Sequence, residues 1–154
     1  MTKILFICHG NICRSPMAEM VFKDMIRKQH LESEFYINSA ATSREEIGNG
    51  VHPGTRRKLQ QVGIPCSDHR STQNTKADND KYDYLIVMDH NNIRNLMRII
   101  GSDPEQKVSM LLDYAGRQGQ SIADPWYTGN FDETYDDVLQ GCEGLLEYLK
   151  DNRI

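Results

Sequence analysis

The sequence predicts a single-domain α/β fold in which a four-stranded parallel sheet is covered by helices on both faces, giving three layers. Short apolar runs of strand length alternate with segments of helical periodicity, which is the pattern of βαβ units joined by right-handed crossovers. Residues 84–88 are almost continuously apolar, as expected of a central parallel strand that is buried on both faces. The length of 154 residues suits about one domain, which we place at residues 1–154.

The N-terminal half predicts two strands and two helices. Residues 4–7 form a short apolar run, and residues 17–29 carry apolar side chains at helical spacing. A second strand is predicted at residues 35–39. Residues 42–54 contain three glycines and one proline, which indicates an irregular loop. Residues 55–62 predict a helix that ends at a glycine.

The C-terminal half continues the alternation after the central strand. Residues 91–100 predict an amphipathic helix that ends at Gly101, and residues 107–111 predict a weaker fourth strand. Residues 116–130 predict a long loop, and long loops in compact domains are often functional. A final helix is predicted at about residues 132–151.

Composition and charge exclude several function classes. A net charge of −4 argues against a general nucleic-acid binder. The apolar run near the N-terminus is too short for a signal peptide, and no stretch approaches the length of a membrane span. We therefore expect a cytoplasmic monomer with neither nucleic-acid nor membrane partners. The five histidines are scattered and show no spacing typical of zinc ligands.

The most informative stretch is residues 8–15 (CHGNICRS), between the first predicted strand and the first predicted helix. A strand, a tight loop and a helix N-terminus form an anion cradle, because loop N–H groups turn inward and the helix dipole adds positive charge. Gly10 allows close approach of a ligand, and Asn11 tolerates positive φ. Ser15 is predicted as the N-cap of the helix, with Pro16 as its first residue.

Cys8 opens this loop and Arg14 closes it. A cysteine that faces a helix N-terminus and a guanidinium has its nucleophilic thiolate form stabilised. Arg14 can hold two oxygens of a tetrahedral oxyanion in a bidentate fork. An isolated Cys…Arg pair is usually a buried cysteine with a surface arginine, but here the whole strand-loop-helix pattern is present. The loop therefore predicts phosphoryl transfer through cysteine.

Together with Pro16, residues 8–15 resemble the signature of the low-molecular-weight protein tyrosine phosphatases, whose length the chain also matches. The resemblance implies a sheet in the strand order 2-1-3-4 and hydrolysis of phosphotyrosine monoesters through a phospho-Cys8 intermediate. It implies no metal and no cofactor, a phosphotyrosine protein or a small aryl phosphate as substrate, and inorganic phosphate as product and inhibitor. The phosphate would then lie against the loop residues His9, Gly10, Asn11, Ile12, Cys13, Arg14 and Ser15.

The general acid implied by the resemblance is Asp124, in residues 123–127 (ADPWY) on the long loop. Asp-Pro alone is a common way to open a turn. In the family, however, an Asp-Pro-aromatic motif shortly before the last helix carries the acid. Asp124 would protonate the leaving phenolate and then act as base for the water that hydrolyses the intermediate.

The resemblance also implies supporting residues. Asn11 would hold the loop through hydrogen bonds, with Ser15, Ser39 and His69 at matching positions, and Ser15 would donate to the sulfur of the nucleophile. On the sequence alone, a strand-end serine and a solvated loop histidine explain Ser39 and His69 equally well. Cys13 matches the family's second cysteine. A reversible disulfide with Cys8 would protect the nucleophile, whereas packing is the simpler role.

Substrate selection would depend on the walls above the cradle. Trp126 and Tyr127 supply one flat aromatic wall. On the opposite side the family usually places an aromatic residue, whereas this chain has Glu45 between an arginine and a second glutamate. His9 likewise stands where many relatives carry a smaller or aliphatic residue. These departures affect the preferred substrate and leave the reaction unchanged.

Three related activities are alternatives. Arsenate reductases of similar fold need a closely spaced cysteine pair in the second half of the chain, whereas Cys66 and Cys142 are far apart. Phosphoarginine phosphatases carry threonine where this chain has Ile12. A non-hydrolytic phosphocysteine carrier needs no acid for a leaving group, so Asp124 favours turnover.

Overall fold

Four parallel strands form the sheet at the centre of the molecule. The structure is a computed structural model that describes residues 1–152, so the last two residues of the predicted 1–154 domain lie outside the described residues. The strands are β1 (Thr2–Cys8), β2 (Phe35–Ala41), β3 (Tyr84–Val87) and β4 (Val108–Met110). Their order is β2-β1-β3-β4 and all pairs are parallel, which confirms the predicted fold class and strand order.

Helices follow or connect the strands, as βαβ units require. They are α1 (Arg14–Lys28), α2 (Pro53–Gln61), α3 (Asp78–Lys81), α4 (His90–Ile100), α5 (Pro125–Thr128) and α6 (Phe131–Asn152). Two short 3₁₀ turns, Glu32–Glu34 and Leu111–Ala115, were not predicted from the sequence. Within residues 1–152, no helix is both long and apolar enough to cross a membrane.

Alternating side chains of β1 build two cores, one on each face of the sheet. Ile4 and Phe6 belong to the core formed with α1 and α6. Leu5 and Ile7 belong to the core formed with residues of α4, such as Leu96. Successive strand residues point to opposite faces, so the continuous apolar run of β1 is explained by burial on both sides. This packing fixes the position of the residues that follow Ile7.

The start of helix α1 differs from the prediction. Ser15 was predicted as the N-cap and Pro16 as the first helical residue, which is wrong, because the helix begins at Arg14 with Cys13 as N-cap and no side-chain capping bond. The hydroxyl of Ser15 is hydrogen-bonded within the 8–15 loop instead. Pro16 is still tolerated, because the first N–H groups of a helix have no intrahelical acceptor.

Residues 116–130, which were predicted as a long loop, contain a helical turn. They contain α5, a helix of four residues whose N-cap is Asp124 and whose first residue is Pro125. Gly129 follows α5 in the left-handed conformation, with φ of 70°. An aspartate at the N-cap with proline at the first position is a favourable helix start, so the Asp-Pro turn is in fact a capped helical turn.

Candidate active site

The 8–15 loop lies at the carboxyl ends of the two central strands. Cys8 is the last residue of β1, and β3 ends nearby at Val87, before α4. Chain connections leave these two strands in opposite directions, since β1 leads to β2 on one side and β3 leads to β4 on the other. Ligands of open α/β sheets bind at such a switch point. The topology therefore places the loop where a binding site is expected.

The loop is held open by hydrogen bonds to its outward-facing carbonyl groups. The donors come from segments outside the loop: Thr42 N–H to Cys8 O (3.0 Å), Ser43 N–H to His9 O (3.1 Å), Ser71 Oγ–H to Gly10 O (2.8 Å) and His52 N–H to Ile12 O (2.8 Å). Because these carbonyl groups point outward, the N–H groups of the loop are left to face its interior. This arrangement is suited to an anion.

The side chain of Asn11 holds the loop together through hydrogen bonds. It is fully buried and adopts φ of 58°, a left-handed conformation that asparagine tolerates better than most residues. Its Nδ2 donates to Ser15 Oγ at 2.8 Å, and its Oδ1 accepts from His69 Nε2 at 2.8 Å and from Thr72 N at 3.3 Å. The predicted links of Asn11 to Ser15 and His69 are therefore direct contacts in the structure.

Ser39 reaches this network indirectly. Its Oγ lies 3.3 Å from His69 Nε2 and donates to Glu19 Oε1 at 2.5 Å. Glu19 is buried on α1 and also pairs with Lys23, whose Nζ lies 2.6 Å from Oε2. Burial lowers the pKa of His69, although nearby Glu19 opposes that effect. His69 is therefore a partly buried residue that supports the loop, with a side chain that is 10% exposed, and it does not have the solvated loop position that was the alternative.

The sulfur of Cys8 receives two polar contacts from its own loop. Its Sγ lies 3.1 Å from Ser15 Oγ and accepts from Asn11 N–H at 3.3 Å. Because Asn11 already donates to Ser15 Oγ, the hydroxyl proton of Ser15 is free to point at the sulfur. Two donors directed at one sulfur stabilise a thiolate.

Arg14 is buried, with its guanidinium oriented by acceptors on two other elements. Its Nη1 donates to Asp89 Oδ2 at 2.7 Å and to Ile122 O at 2.9 Å, while Nη2 lies 3.5 Å from Asp124 Oδ2. Burial acts to lower the pKa of Arg14, but the sulfur of Cys8 and the two carboxylates outweigh it and raise that pKa. Arg14 is thus a fixed cation behind the cradle.

Asp124 faces the same pocket from α5. Its Oδ1 accepts from Trp126 N–H at 3.0 Å, which caps the helix. Its Oδ2 points towards Arg14. The structure therefore brings together the predicted nucleophile, arginine and acid, since Cys8, Arg14 and Asp124 line one pocket.

The mouth of the pocket has an aromatic side and a charged side. Trp126 and Tyr127 are 56% and 83% exposed, which is unusual for large aromatic side chains. Opposite them, His9 Nε2 lies 2.8 Å from Glu45 Oε2, and Glu46 completes that side. The sequence did not predict the contact between His9 and Glu45, because the two residues are 36 positions apart and no local pattern links them.

The remaining cysteines differ in environment. Burial, followed by the nearby sulfur of Cys8, raises the pKa of Cys13 to about 12. Cys142 is fully buried and its thiol contacts the backbone oxygen of Ala18 at 3.7 Å. Cys66 is partly buried at the edge of the larger core. All four cysteines are free thiols in this structure.

Two site residues were missed by the sequence reasoning. Asp89 orients Arg14 and also caps α4, with its Oδ1 accepting from Asn92 N–H at 2.7 Å. Its position directly after the apolar strand was the available signal, because polar residues at strand ends often face a site. Glu19 gave no such signal, since an acidic residue on a helix is ordinarily exposed. Among residues 1–152, no three His, Cys, Asp or Glu side chains are grouped to hold a metal ion.

Comparison with known proteins gives consistent matches over the whole chain. The family model for the low molecular weight phosphotyrosine protein phosphatases matches residues 3–154. The low molecular weight protein-tyrosine-phosphatase YfkJ of Bacillus subtilis is 39% identical over 151 residues, which cover 97% of either chain. The crystal structure of YfkJ aligns with a TM-score of 0.95 at 38% identity, covering 100% of this chain and 98% of that one.

More distant relatives match over similar lengths. The low molecular weight protein-tyrosine-phosphatase PtpA of Staphylococcus aureus is 32% identical over 149 residues, covering 97% of this chain and 94% of its own. A crystal structure of a protein tyrosine phosphatase from Entamoeba histolytica, with Hepes in its active site, has a TM-score of 0.91 at 29% identity and covers both chains fully.

Proposed function

This chain belongs to the low molecular weight phosphotyrosine protein phosphatase family and is a cysteine-dependent protein tyrosine phosphatase; we propose that Cys8, Arg14 and Asp124 carry its reaction. The observation that supports these roles most is that the three side chains line one pocket at the end of β1. We further propose that residues 1–154 form one catalytic domain that acts in the cytoplasm as a monomer.

The first chemical step forms a bond between sulfur and phosphorus. The thiolate of Cys8 attacks the phosphorus atom while the bond from phosphorus to the phenolic oxygen breaks. The leaving oxygen takes its proton from the carboxyl group of Asp124, which lines the pocket at the start of α5. Inward N–H groups of the loop and the guanidinium of Arg14 bind the three equatorial oxygens, over which the negative charge is spread in the transition state.

The second step regenerates the enzyme. A water molecule attacks the cysteinyl-phosphate, and the carboxylate of Asp124 removes its proton. The bond from phosphorus to Cys8 breaks and inorganic phosphate leaves, so phosphate is both product and inhibitor. The sulfur departs as a thiolate, which is stabilised by the donors that supported it at the start, Ser15 Oγ–H and Asn11 N–H.

Two polar residues of the 8–15 loop support this scheme without reacting. Asn11 holds the backbone conformation through His69, and Ser15 serves the sulfur. Aromatic side chains at positions 126 and 127 would lie beside the substrate ring, opposite the pair formed by His9 and Glu45. A deep cradle between such walls suits a phosphate on an aryl group, because only a long, flat side chain reaches the sulfur.

Hydrolysis of para-nitrophenyl phosphate and of a phosphotyrosine peptide, without added metal, tests the proposal. Cys8→Ser should have no measurable turnover of either substrate, and Asp124→Asn should lose about 10²–10⁴-fold in kcat for the phosphotyrosine peptide, whose leaving group needs the acid. Cys66→Ser is the matched control, because Cys66 is a thiol outside the pocket, and its kcat should equal that of the wild type.

Two further substrates make the negative result informative. If wild-type protein is inert towards both aryl phosphates and hydrolyses a phosphoarginine peptide, the tyrosine assignment is wrong and the phosphoarginine alternative replaces it. If it reduces arsenate instead, the reductase alternative holds. A single turnover of aryl phosphate without recycling would identify a phosphocysteine carrier.

A further inference from the structure

His52 contacts both halves of the active site but has no part in the reaction described above. Its backbone N–H donates to Ile12 O in the 8–15 loop at 2.8 Å. Its side chain caps helix α2, because Nδ1 accepts from Gly54 N–H at 3.0 Å. The backbone of one residue therefore supports the cradle, and its side chain is fixed separately.

The imidazole ring of His52 contacts two aromatic rings on other elements, Phe131 at the start of α6 and Trp126 of the pocket wall. It stacks on Phe131, with ring centroids 5.3 Å apart and 25° between planes. It meets Trp126 edge to face, with centroids 5.7 Å apart and 79° between planes. We call the three rings the ring stack. Such contacts stabilise aromatic pairs beyond the apolar area that they bury.

Gly54 leaves the space that the ring stack needs. A Cβ atom built at this position would lie 2.3 Å from the ring of Phe131, far inside van der Waals contact. Phe131 is the first residue of α6, directly beyond the short segment that follows α5. The stack thus joins the start of α2, the start of α6 and the aromatic wall of the pocket.

The wall residue Trp126 has little other support. More than half of its surface is exposed, and α5 is a single turn of four residues. The backbone N–H of Trp126 donates to Asp124 Oδ1. A shift of the Trp126 backbone would therefore alter the hydrogen bond that orients the carboxyl group of Asp124.

We propose that His52 is a positioning residue, whose ring fixes the Trp126 wall and, through the cap of α5, the direction of the Asp124 carboxyl group. The proposal rests on the proposed function for the role of Asp124. His52 sets the spacing between the loop of the nucleophile and the helix of the acid, because its backbone is bonded to the first and its ring contacts the second. The effect of the ring is confined to substrate and acid, since phosphate itself is bound by the loop.

Two substitutions distinguish the ring contacts of His52 from its capping of helix α2. His52→Asn keeps a capping acceptor and removes the ring, whereas His52→Phe keeps a ring and removes the acceptor. His30→Asn is the matched control, because His30 is exposed, remote from the pocket and at φ of 58°, which asparagine tolerates. Trp126 is the only tryptophan of the chain, so intrinsic fluorescence reports on the wall directly.

For His52→Asn we expect Trp126 to become more accessible to acrylamide, with KM for para-nitrophenyl phosphate raised about two- to twelvefold, the equivalent of one aromatic contact. We also expect kcat to fall, more for phenyl phosphate than for para-nitrophenyl phosphate, because the poorer leaving group depends more on the acid. In His52→Phe the acrylamide accessibility of Trp126, KM and kcat should all stay within about twofold of the wild type. The Kd for inorganic phosphate should stay unchanged in both variants.

Three results would overturn the proposal: wild-type acrylamide quenching and KM in His52→Asn, equal impairment of His52→Phe, or a parallel loss of phosphate affinity in His52→Asn. The last result would mean that His52 only maintains the fold of the loop. If the wild type hydrolyses no aryl phosphate, the proposed function fails, whereas the quenching and phosphate measurements still decide the role of the ring.

Discussion

Asp89 should contribute to stability in two separable ways, as the ion-pair partner of Arg14 and as the N-cap of α4. Its Oδ2 lies 2.7 Å from Arg14 Nη1, and its Oδ1 accepts from Asn92 N–H at 2.7 Å. Loss of an N-cap costs about 1 kcal/mol. Breaking a buried ion pair costs about 3–5 kcal/mol, which we reduce to about 2 kcal/mol because the side chain of Asp89 is 20% exposed and Arg14 retains Ile122 O.

Asp89→Ala should therefore lower the free energy of unfolding by about 3 kcal/mol, the sum of both contributions. Asp89→Asn keeps a good capping side chain and a neutral acceptor for Arg14, so it should lose about 1–2 kcal/mol. Both variants weaken the contacts that orient the guanidinium, and we expect kcat to fall about tenfold, which corresponds to about 1.4 kcal/mol of transition-state stabilisation.

Urea unfolding and steady-state hydrolysis of para-nitrophenyl phosphate measure the two effects. Asp68→Asn is the matched control, because Asp68 is 79% exposed and 3.7 Å from Arg70, and exposed pairs contribute about 0–1 kcal/mol. Equal stability of Asp89→Ala and Asp89→Asn would refute the capping argument. Wild-type stability and kcat in Asp89→Asn would refute the role given to the ion pair.

Three further predictions concern Glu45 at the pocket mouth, the second cysteine Cys13 and the partly buried His69. Glu45→Trp should lower KM for aryl phosphates about two- to twelvefold by adding an aromatic contact; an unchanged KM, or the same decrease in Glu45→Gln, would contradict this. After inactivation by peroxide, thiol reagents should restore the activity of the wild type better than the activity of Cys13→Ser, and equal recovery would exclude the disulfide. Disulfide formation between Cys13 and Cys8 should accelerate as pH rises, because the Cys13 thiol has a pKa of about 12 and is protonated at neutral pH. Burial lowers the pKa of His69 in the folded protein, so the unfolded chain binds the proton of this histidine more readily. The free energy of unfolding should therefore fall as pH decreases below about 6.5. His69→Gln should make that decrease smaller, and an unaltered pH profile would contradict the lowered pKa of His69.

Sequence patterns predicted the sheet because the physical causes are local. A strand such as β3 is buried on both faces, so its composition alone identifies it. The end of α4 was likewise predictable, because Gly101 adopts φ of 79° after the helix. In contrast, the start of α1 is decided by the specific conformation of the loop before it, which helix propensities do not describe. Hydrogen bonds inside the 8–15 loop recruit the hydroxyl of Ser15 for the sulfur and leave the helix uncapped.

The sequence predicted those site residues that belong to one contiguous motif or to the family resemblance. The motif contains Cys8 and Arg14, and the resemblance supplied Asp124. Asp89 lies 75 residues from Arg14 in sequence, so its role depends on the neighbouring ends of β1 and β3. The ring contacts of His52 likewise join elements that are distant in sequence. Such pairings exist only after folding, and no local pattern specifies them.

The central claim is that phosphate passes through the sulfur of Cys8, and trapping that intermediate tests it most directly. Asp124→Asn is mixed with para-nitrophenyl phosphate, whose good leaving group needs little acid, and the reaction is quenched in acid within one turnover. Peptide mass mapping should find one phosphate on the peptide that contains Cys8, and none in the Cys8→Ser protein treated in the same way. Release of one equivalent of nitrophenol with an unmodified Cys8, or with phosphate on another side chain, would contradict the mechanism.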